Sequence, residues 1–170
     1  MRTAGFALIT GLVLLSGCGP KAPTVTTNGT RAVGLRQTEN IRVVYQIKTD
    51  GRKDGVGAGL HYVEKLLDTY NQIGIPDSAA EVRAVFHGDA AYWLLRDEPY
   101  SAVADGEQVN PNKQIITELL RRNVHLEICA QTMQAHGWKK RDVMEGVLIV
   151  VGAYPRVIDL QSAGFAYIRF

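Results

Sequence analysis

The chain has 170 residues, of which 46% are hydrophobic and 21% are charged, and its formal net charge at pH 7 is +2. This length and apolar content suit one folded domain with a substantial core. The near balance of 19 basic and 17 acidic residues argues against the strongly basic surface of a nucleic-acid-binding protein. We therefore expect no nucleic acid partner.

Residues 1–17 have the layout of a secretory signal peptide. Arg2 supplies a positive charge, residues 6–15 form an apolar run, and two small residues then precede Cys18. The run is ten residues long, whereas a helix that spans a membrane needs about 20. We therefore expect this segment to be removed after export and not to remain as a transmembrane anchor.

The tetrapeptide Leu15-Ser16-Gly17-Cys18 resembles the bacterial lipobox, in which the cysteine thiol is diacylated and becomes the first residue of the mature protein. The alternative is an ordinary signal peptide in which Cys18 is incidental. Because two or three acyl chains anchor a protein stably, the resemblance implies attachment to a membrane through the lipid on Cys18. Gly19, where inner-membrane lipoproteins carry aspartate, favours the outer membrane, with the folded part facing the periplasm.

Residues 18–39 are predicted to be the lipidated N-terminus and a tether. The segment after Cys18 is rich in Thr, Pro, Gly and Asn and poor in apolar residues, which is the composition of a flexible linker. The tether would hold the folded domain, residues 40–170, away from the membrane.

Strands alternate with helices over the rest of the chain. Apolar, β-branched runs predict strands, and apolar residues at a spacing of three to four predict helices. In chain order we expect a strand at 41–47, a helix at 56–73, a strand at 82–87, a helix at 90–96, a polar loop at 97–111, a helix at 112–123, a strand at 124–129, a helix at 130–136, a strand at 147–151, a helix at 157–163 and a strand at 167–170.

The alternation predicts an α/β fold: a parallel sheet covered by helices on both faces, in a single domain. Residues 147–151, with the sequence VLIVV, are the most hydrophobic run of the mature chain. We therefore expect them to form a central strand of the sheet.

Cys129 is the only thiol that remains if Cys18 is lipidated, so no intramolecular disulfide is expected. It ends a predicted strand and directly precedes a predicted helix, at the sheet edge where open α/β proteins bind ligands. A helix N-terminus favours a thiolate over a thiol, which would suit a nucleophile. The alternative is that Cys129 packs as a small hydrophobic residue.

His87 ends another predicted strand and should lie near Cys129, where an imidazole can stabilise a thiolate or carry a proton. The alternative is a histidine that only bonds to a neighbouring backbone carbonyl. His61, His125 and His136 do not have the spacing of metal ligands, either with one another or with Cys129. We therefore expect no metal site.

Gly55, Gly57 and Gly59 follow the first strand of the predicted domain, but the third glycine of GxGxxG is missing and no GK[ST] follows. They predict a mobile loop at the start of a helix, which could receive an anion through its N–H groups. No cofactor is expected. No Ser-His-Asp arrangement or pair of catalytic carboxylates stands out either.

Four pieces of the chain, in this order, resemble the DsrE/DsrF-like sulfur-relay family, in particular its small stand-alone members. They are VVYQI at 43–47, AVFHGDAAYWLL at 84–95, NVHLEICAQTMQAHGW at 123–138 and VLIVVGAYPRVIDLQSAGFAYIRF at 147–170. The likeness extends over about residues 40–170. It implies a three-layer α/β/α domain with a five-stranded, mostly parallel sheet, assembled as a homotrimer or homohexamer.

In sulfur-relay members a cysteine of this region carries sulfur as a persulfide, and Cys129 matches the cysteine that many stand-alone members keep before their short helix. The resemblance thus implies an exported lipoprotein that acts through Cys129 as a sulfur carrier or sulfurtransferase, with a sulfur donor or acceptor protein as its partner. His87 is the second candidate catalytic residue. The alternative is a non-enzymatic, oligomeric envelope protein that binds a small ligand or a partner at the cleft beside the strand ends.

Overall fold

A computed structural model describes residues 24–27 and 30–170. The predicted signal peptide, the lipidation site Cys18 and part of the predicted tether lie outside the described residues. The contacts divide the chain into one unit that ends at Arg36 and a second from Gln37 to Phe170. Among the described residues, none of the helices has both the length and the apolar character of a membrane-spanning segment.

The described residues contain nine strands and five α-helices. The strands are β1 (Thr24–Thr27), β2 (Thr30–Val33), β3 (Ile41–Ile47), β4 (Arg52–Lys53), β5 (Val56–Gly57), β6 (Ala80–Phe86), β7 (His125–Cys129), β8 (Leu148–Val150) and β9 (Ala166–Arg169). The helices are α1 (Ala58–Gln72), α2 (Asp97–Ser101), α3 (Lys113–Arg121), α4 (Ala130–His136) and α5 (Ala153–Ser162). Short 3-10 helices lie at Asp77–Ala79, Gly88–Leu94 and Lys140–Asp142.

In the first unit β1 and β2 pair as an antiparallel hairpin. The composition predicted an irregular linker over these residues. The runs TVTT and TRAV contain β-branched residues at several positions, and such residues favour extended backbone.

The second unit is built on a five-stranded parallel sheet with the strand order β8-β7-β6-β3-β9. One face packs against α1, α3 and α4 around a large core that includes Tyr45, Phe86 and Leu126. The other face packs against α5 around a smaller core that includes Val44, Val85 and Val157. The predicted α/β fold and its five-stranded parallel sheet are confirmed.

The prediction of a central strand at 147–151 is wrong. β8 pairs with β7 alone and lies at one edge of the sheet. Leu148 is 47% exposed, Ile149 41% and Val151 81%. A short apolar run has the same pattern whether it forms a buried central strand or an apolar edge strand, so hydrophobicity cannot separate the two.

Three other elements differ from their predictions. The segment predicted as a polar loop contains α2, and the helix predicted at 90–96 is a 3-10 helix from Gly88 to Leu94. The last helix begins at Ala153, four residues earlier than predicted. Pro155 lies in the first turn of α5, where the missing N–H is tolerated because that turn has no intrahelical acceptor for it.

The glycine-rich segment after β3 is a hairpin, which replaces the mobile loop that we expected. Asp54 and Gly55 both have positive φ angles, 51° and 83°, as a type I′ turn between β4 and β5 requires. At Gly57 a Cβ atom would lie 2.2 Å from the Trp93 ring. These glycines therefore serve the turn and the packing of the hairpin against the core.

Candidate functional site

Cys129 is the last residue of β7 and the N-cap residue of α4. It is 3% exposed and packs in the smaller core beneath α5, with Val85, Ala153 and Val157 among its neighbours in that cluster. Its side chain makes no capping hydrogen bond to α4. The thiol therefore lies at the predicted strand-helix junction, in an apolar environment.

His87 lies beside Cys129 at the carboxyl edge of the sheet. Phe86 and Ile128 are register partners in the pairing of β6 with β7, so His87 and Cys129 are the next residues along the same two strands. The His87 N–H donates to the Ile47 carbonyl at 3.0 Å, which extends the ladder. Because alternate residues share a face, His87 and Val85 both point to the α5 side.

The structure thus brings the two predicted site residues together, and their chemical role stays a prediction. We call the region bounded by Gln46, His87, Cys129 and Tyr154 the strand-end cleft. Its position agrees with the rule that open α/β sheets bind ligands at the carboxyl ends of their strands.

Gln46 determines how His87 can act. The Gln46 side-chain amide nitrogen lies 2.9 Å from His87 Nε2, and its oxygen accepts a hydrogen bond from the Tyr167 hydroxyl. In this orientation of the Gln46 amide the nitrogen donates to His87 Nε2, which places the ring proton on Nδ1. His87 is therefore neutral in this arrangement.

The electrostatic surroundings also favour neutral His87. Burial is the main cause that lowers its pKa below the ordinary 6.5, and the positive charges of Lys48 and Arg169 lower it further. The Tyr154 ring packs edge-on against the imidazole, with 5.3 Å between ring centroids. Since Nε2 is already an acceptor, His87 offers the cleft an N–H donor at Nδ1 instead of a free basic nitrogen.

Reasoning from the sequence missed Gln46, Tyr154 and Tyr167. Gln46 left a signal, because it is a polar residue near the end of the apolar run VVYQI and is 6% exposed in the fold. A buried polar side chain generally has a hydrogen-bonding partner. No feature of the sequence pointed to Tyr167, because this residue reaches Gln46 only through the pairing of β3 with β9.

The other three histidines lie away from this cleft. His61 is on α1 and lines an open cavity of about 850 Å³ between α1 and α3. His125 begins β7, and His136 stacks on Trp138 with 4.4 Å between ring centroids. Among the described residues, no group of three or more His, Cys, Asp and Glu side chains could hold a metal ion.

The model of the DsrE/DsrF-like family matches residues 46–170. This chain belongs to the DsrE/DsrF-like family. The match includes both His87 and Cys129, so the whole strand-end cleft falls within the family domain. None of the curated proteins matches the sequence.

Two solved structures show the same fold. Protein MTH1491 of Methanobacterium thermoautotrophicum, described as a protein of unknown function, is 22% identical with a TM-score of 0.55, over 76% of this chain and 99% of its own. The ychN protein of E. coli is 18% identical with a TM-score of 0.52, over 76% of this chain and 100% of its own. At these identities the likeness establishes the fold of this DsrE/DsrF-like protein and nothing about its activity.

Proposed function

We propose that this protein is an exported lipoprotein that carries sulfur as a persulfide on Cys129. The observation that carries the proposal is the juxtaposition of Cys129 and His87 at the carboxyl edge of the sheet. Membership of the DsrE/DsrF-like family is compatible with sulfur relay and supports it. A sulfur donor and an acceptor protein would be its partners.

In the proposed reaction the Cys129 thiolate attacks the outer sulfur of a sulfane donor such as thiosulfate. A bond forms between Sγ and that sulfur, the bond between the two donor sulfurs breaks, and its electron pair leaves with sulfite. The thiol proton goes to solvent, since His87 Nε2 is occupied by Gln46. The persulfide then yields its outer sulfur to an acceptor thiolate by the same exchange.

Burial of the thiol sets a condition on this reaction. Cys129 is 3% exposed, and Ala153 and Val157 of α5 belong to the same packed cluster. Exchange requires both a thiolate and access to it. We therefore propose that α5 shifts enough to expose Cys129 to the strand-end cleft before sulfur is transferred.

Intact mass spectrometry tests the proposal. The chain without residues 1–17 and with Cys18→Ser, which leaves Cys129 as its only thiol, is incubated with thiosulfate or polysulfide. We expect the mass of one added sulfur atom, removed by reductant and absent in the Cys129→Ser variant. Failure to form the adduct, or an adduct that persists in Cys129→Ser, would exclude a persulfide on Cys129.

The second candidate function is a non-enzymatic envelope protein that binds a small ligand or a partner at the strand-end cleft. The apolar packing of Cys129 favours it, because a structural cysteine is typically buried and inert. Thiol labelling of the folded chain separates the two functions. Slow labelling at and below pH 7, together with retained ligand binding in Cys129→Ala, would favour the binding protein.

The proposal includes anchoring of the chain to the outer membrane through a lipid on Cys18. Radiolabelled palmitate supplied to cells that express the full chain should be incorporated into the protein, and the protein should fractionate with the outer membrane. Cys18→Ala should abolish both. Labelling that is unchanged in Cys18→Ala would contradict the lipidation site.

A further inference from the structure

We propose that the strand-end cleft contains a binding subsite for a small oxyanion, formed by His87 Nδ1–H, Lys48, Arg169 and the first turn of α5. This inference deepens the proposed function. Only the identity of the ligand as a sulfur donor rests on that function. The ligand would be the oxyanion end of a small sulfur donor of the thiosulfate type.

The first observation is an unpartnered donor on a buried side chain. His87 is 6% exposed, and among the described residues its ring is bonded only through Nε2, to Gln46. Within that part of the chain, Trp93 Nε1 is the only side-chain nitrogen or oxygen that is fully buried without a partner. His87 Nδ1 is therefore not fully buried, and its N–H has no partner among the described residues.

Two cations lie near His87, close enough for their charges to lower its pKa. The Lys48 side chain runs beside Gly88, since its Cγ lies 3.1 Å from the position that a Gly88 Cβ would take. Arg169 is the register partner of Gln46 and therefore lies on the same face of the sheet. Neither Lys48 nor Arg169 forms an ion pair with any residue that the structure describes.

The start of α5 contributes a third positive element. This helix has ten residues, its N-cap is Gly152, which provides no capping side chain, and its first turn contains no acidic residue. Tyr154 in that turn packs against the His87 ring, so the helix begins beside the imidazole. The free N–H groups of a helix N-terminus carry partial positive charge and bind anions.

These groups together select for a negatively charged ligand with several acceptor oxygens. A guanidinium pairs with two oxygens of a planar or tetrahedral oxyanion, and an ammonium adds a point charge. An oxyanion placed here would lie beside Cys129, because His87 and Cys129 are neighbours on adjacent strands. Thiosulfate could then present its outer sulfur to the thiol while its oxygens face the cations.

The test uses the same protein as the mass experiment, without residues 1–17 and with Cys18→Ser, and follows the His87 ring by NMR. Sodium sulfate, an unreactive analogue of the oxyanion end, is titrated against sodium chloride at equal ionic strength. We expect a saturable shift of the His87 signals with sulfate only and a rise in the His87 pKa, because a bound anion stabilises the imidazolium. Lys48→Ala and Arg169→Ala should each weaken binding about threefold to tenfold, and Lys65→Ala, on the exposed side of α1, should not.

A non-saturable shift, an equal effect of chloride, or unchanged binding in both variants would overturn the subsite. Thiosulfate should compete with sulfate, and failure to compete would overturn the assignment of the substrate. The outcome is separable from that of the persulfide experiment. Sulfate binding without a persulfide would support the subsite and contradict the persulfide on Cys129. A persulfide without sulfate binding would contradict the subsite alone.

Discussion

His87 combines a nearly complete burial with a partner that can only donate to it. The Gln46 amide nitrogen bonds to Nε2, and the Gln46 oxygen bonds to the Tyr167 hydroxyl. Lys48 and Arg169 add positive charge nearby. Each of these features disfavours the imidazolium, so the residue acts as a neutral hydrogen-bond donor toward the strand-end cleft.

The lowered pKa of His87 predicts that acid destabilises the fold. Between the ordinary pKa of 6.5 and the lower folded pKa, the unfolded state binds more protons than the folded state. The contribution of neutral His87 to the free energy of unfolding is therefore complete above the ordinary pKa. It is lost as the pH falls from the ordinary pKa to the folded pKa. Urea denaturation at about pH 7 and about pH 5 should show a larger loss of unfolding free energy in the wild type than in His87→Gln.

Gln is suitable at this position because its side-chain oxygen can still accept from Gln46. His136→Gln serves as the control, since His136 is exposed and its replacement should leave the acid-induced loss unchanged. If His87→Gln and the wild type lose the same free energy on acidification, the electrostatic account of His87 is wrong.

At the level of elements, α5 is held to the sheet by a buried carboxylate. Glu127 of β7 has a fully buried side chain and accepts two hydrogen bonds from Arg156 of α5, at 2.7 and 2.9 Å. Arg83 of β6 donates a third at 3.1 Å. Because α5 packs over Cys129, we expect this network to limit access to the thiol.

Arg156→Met should destabilise the domain by about 2 kcal/mol, since it leaves the Glu127 carboxylate with one of its two arginines. Chemical denaturation measures the loss, and the labelling rate of Cys129 should rise in the same variant. Arg121→Met is the matched control, because Arg121 pairs with Glu118 on the surface and its loss should cost about 0.5 kcal/mol or less. Equal effects of the two substitutions would show that the network does not fix α5.

At the level of the whole molecule, β8, α5 and the short segment between them expose a set of large apolar side chains. Its members, all at least 41% exposed, are Leu148, Ile149, Val151 and Ile158. Apolar patches on soluble proteins commonly mark interaction surfaces, and an unpaired apolar edge strand favours association. We propose that this surface is covered in a homo-oligomer, a trimer or a hexamer.

Light scattering coupled to size-exclusion chromatography checks this proposal. The chain without residues 1–17 and with Cys18→Ser should elute as an oligomer at micromolar concentration. The double substitution Val151→Lys and Ile158→Lys should convert it to a folded monomer. Val103→Lys with Val109→Lys, two exposed apolar positions elsewhere, should leave the oligomer intact. If the chain without the lysine substitutions elutes as a monomer, the proposal is wrong.

Local sequence patterns were sufficient to predict the position of many strands and helices of this fold. The predicted strand at 41–47 and the predicted helix at 130–136 match β3 and α4 residue for residue. The position of Cys129 at a strand-helix junction followed from the same patterns. These features depend on neighbours within a few residues, and hydrophobic periodicity reports such local surroundings directly.

Tertiary structure alone decided where those elements lie and what they touch. The apolar run VLIVV became an exposed edge because strand order depends on pairing between distant segments. Tyr167 and Gln46, which are 121 residues apart, meet only through the β3–β9 pairing and fix the proton on His87. The burial of Cys129 likewise depends on α5, which follows it in the chain and packs over it. The sequence by itself thus determined the fold class and the position of the thiol, whereas long-range packing determined the access to that thiol and the charge around it.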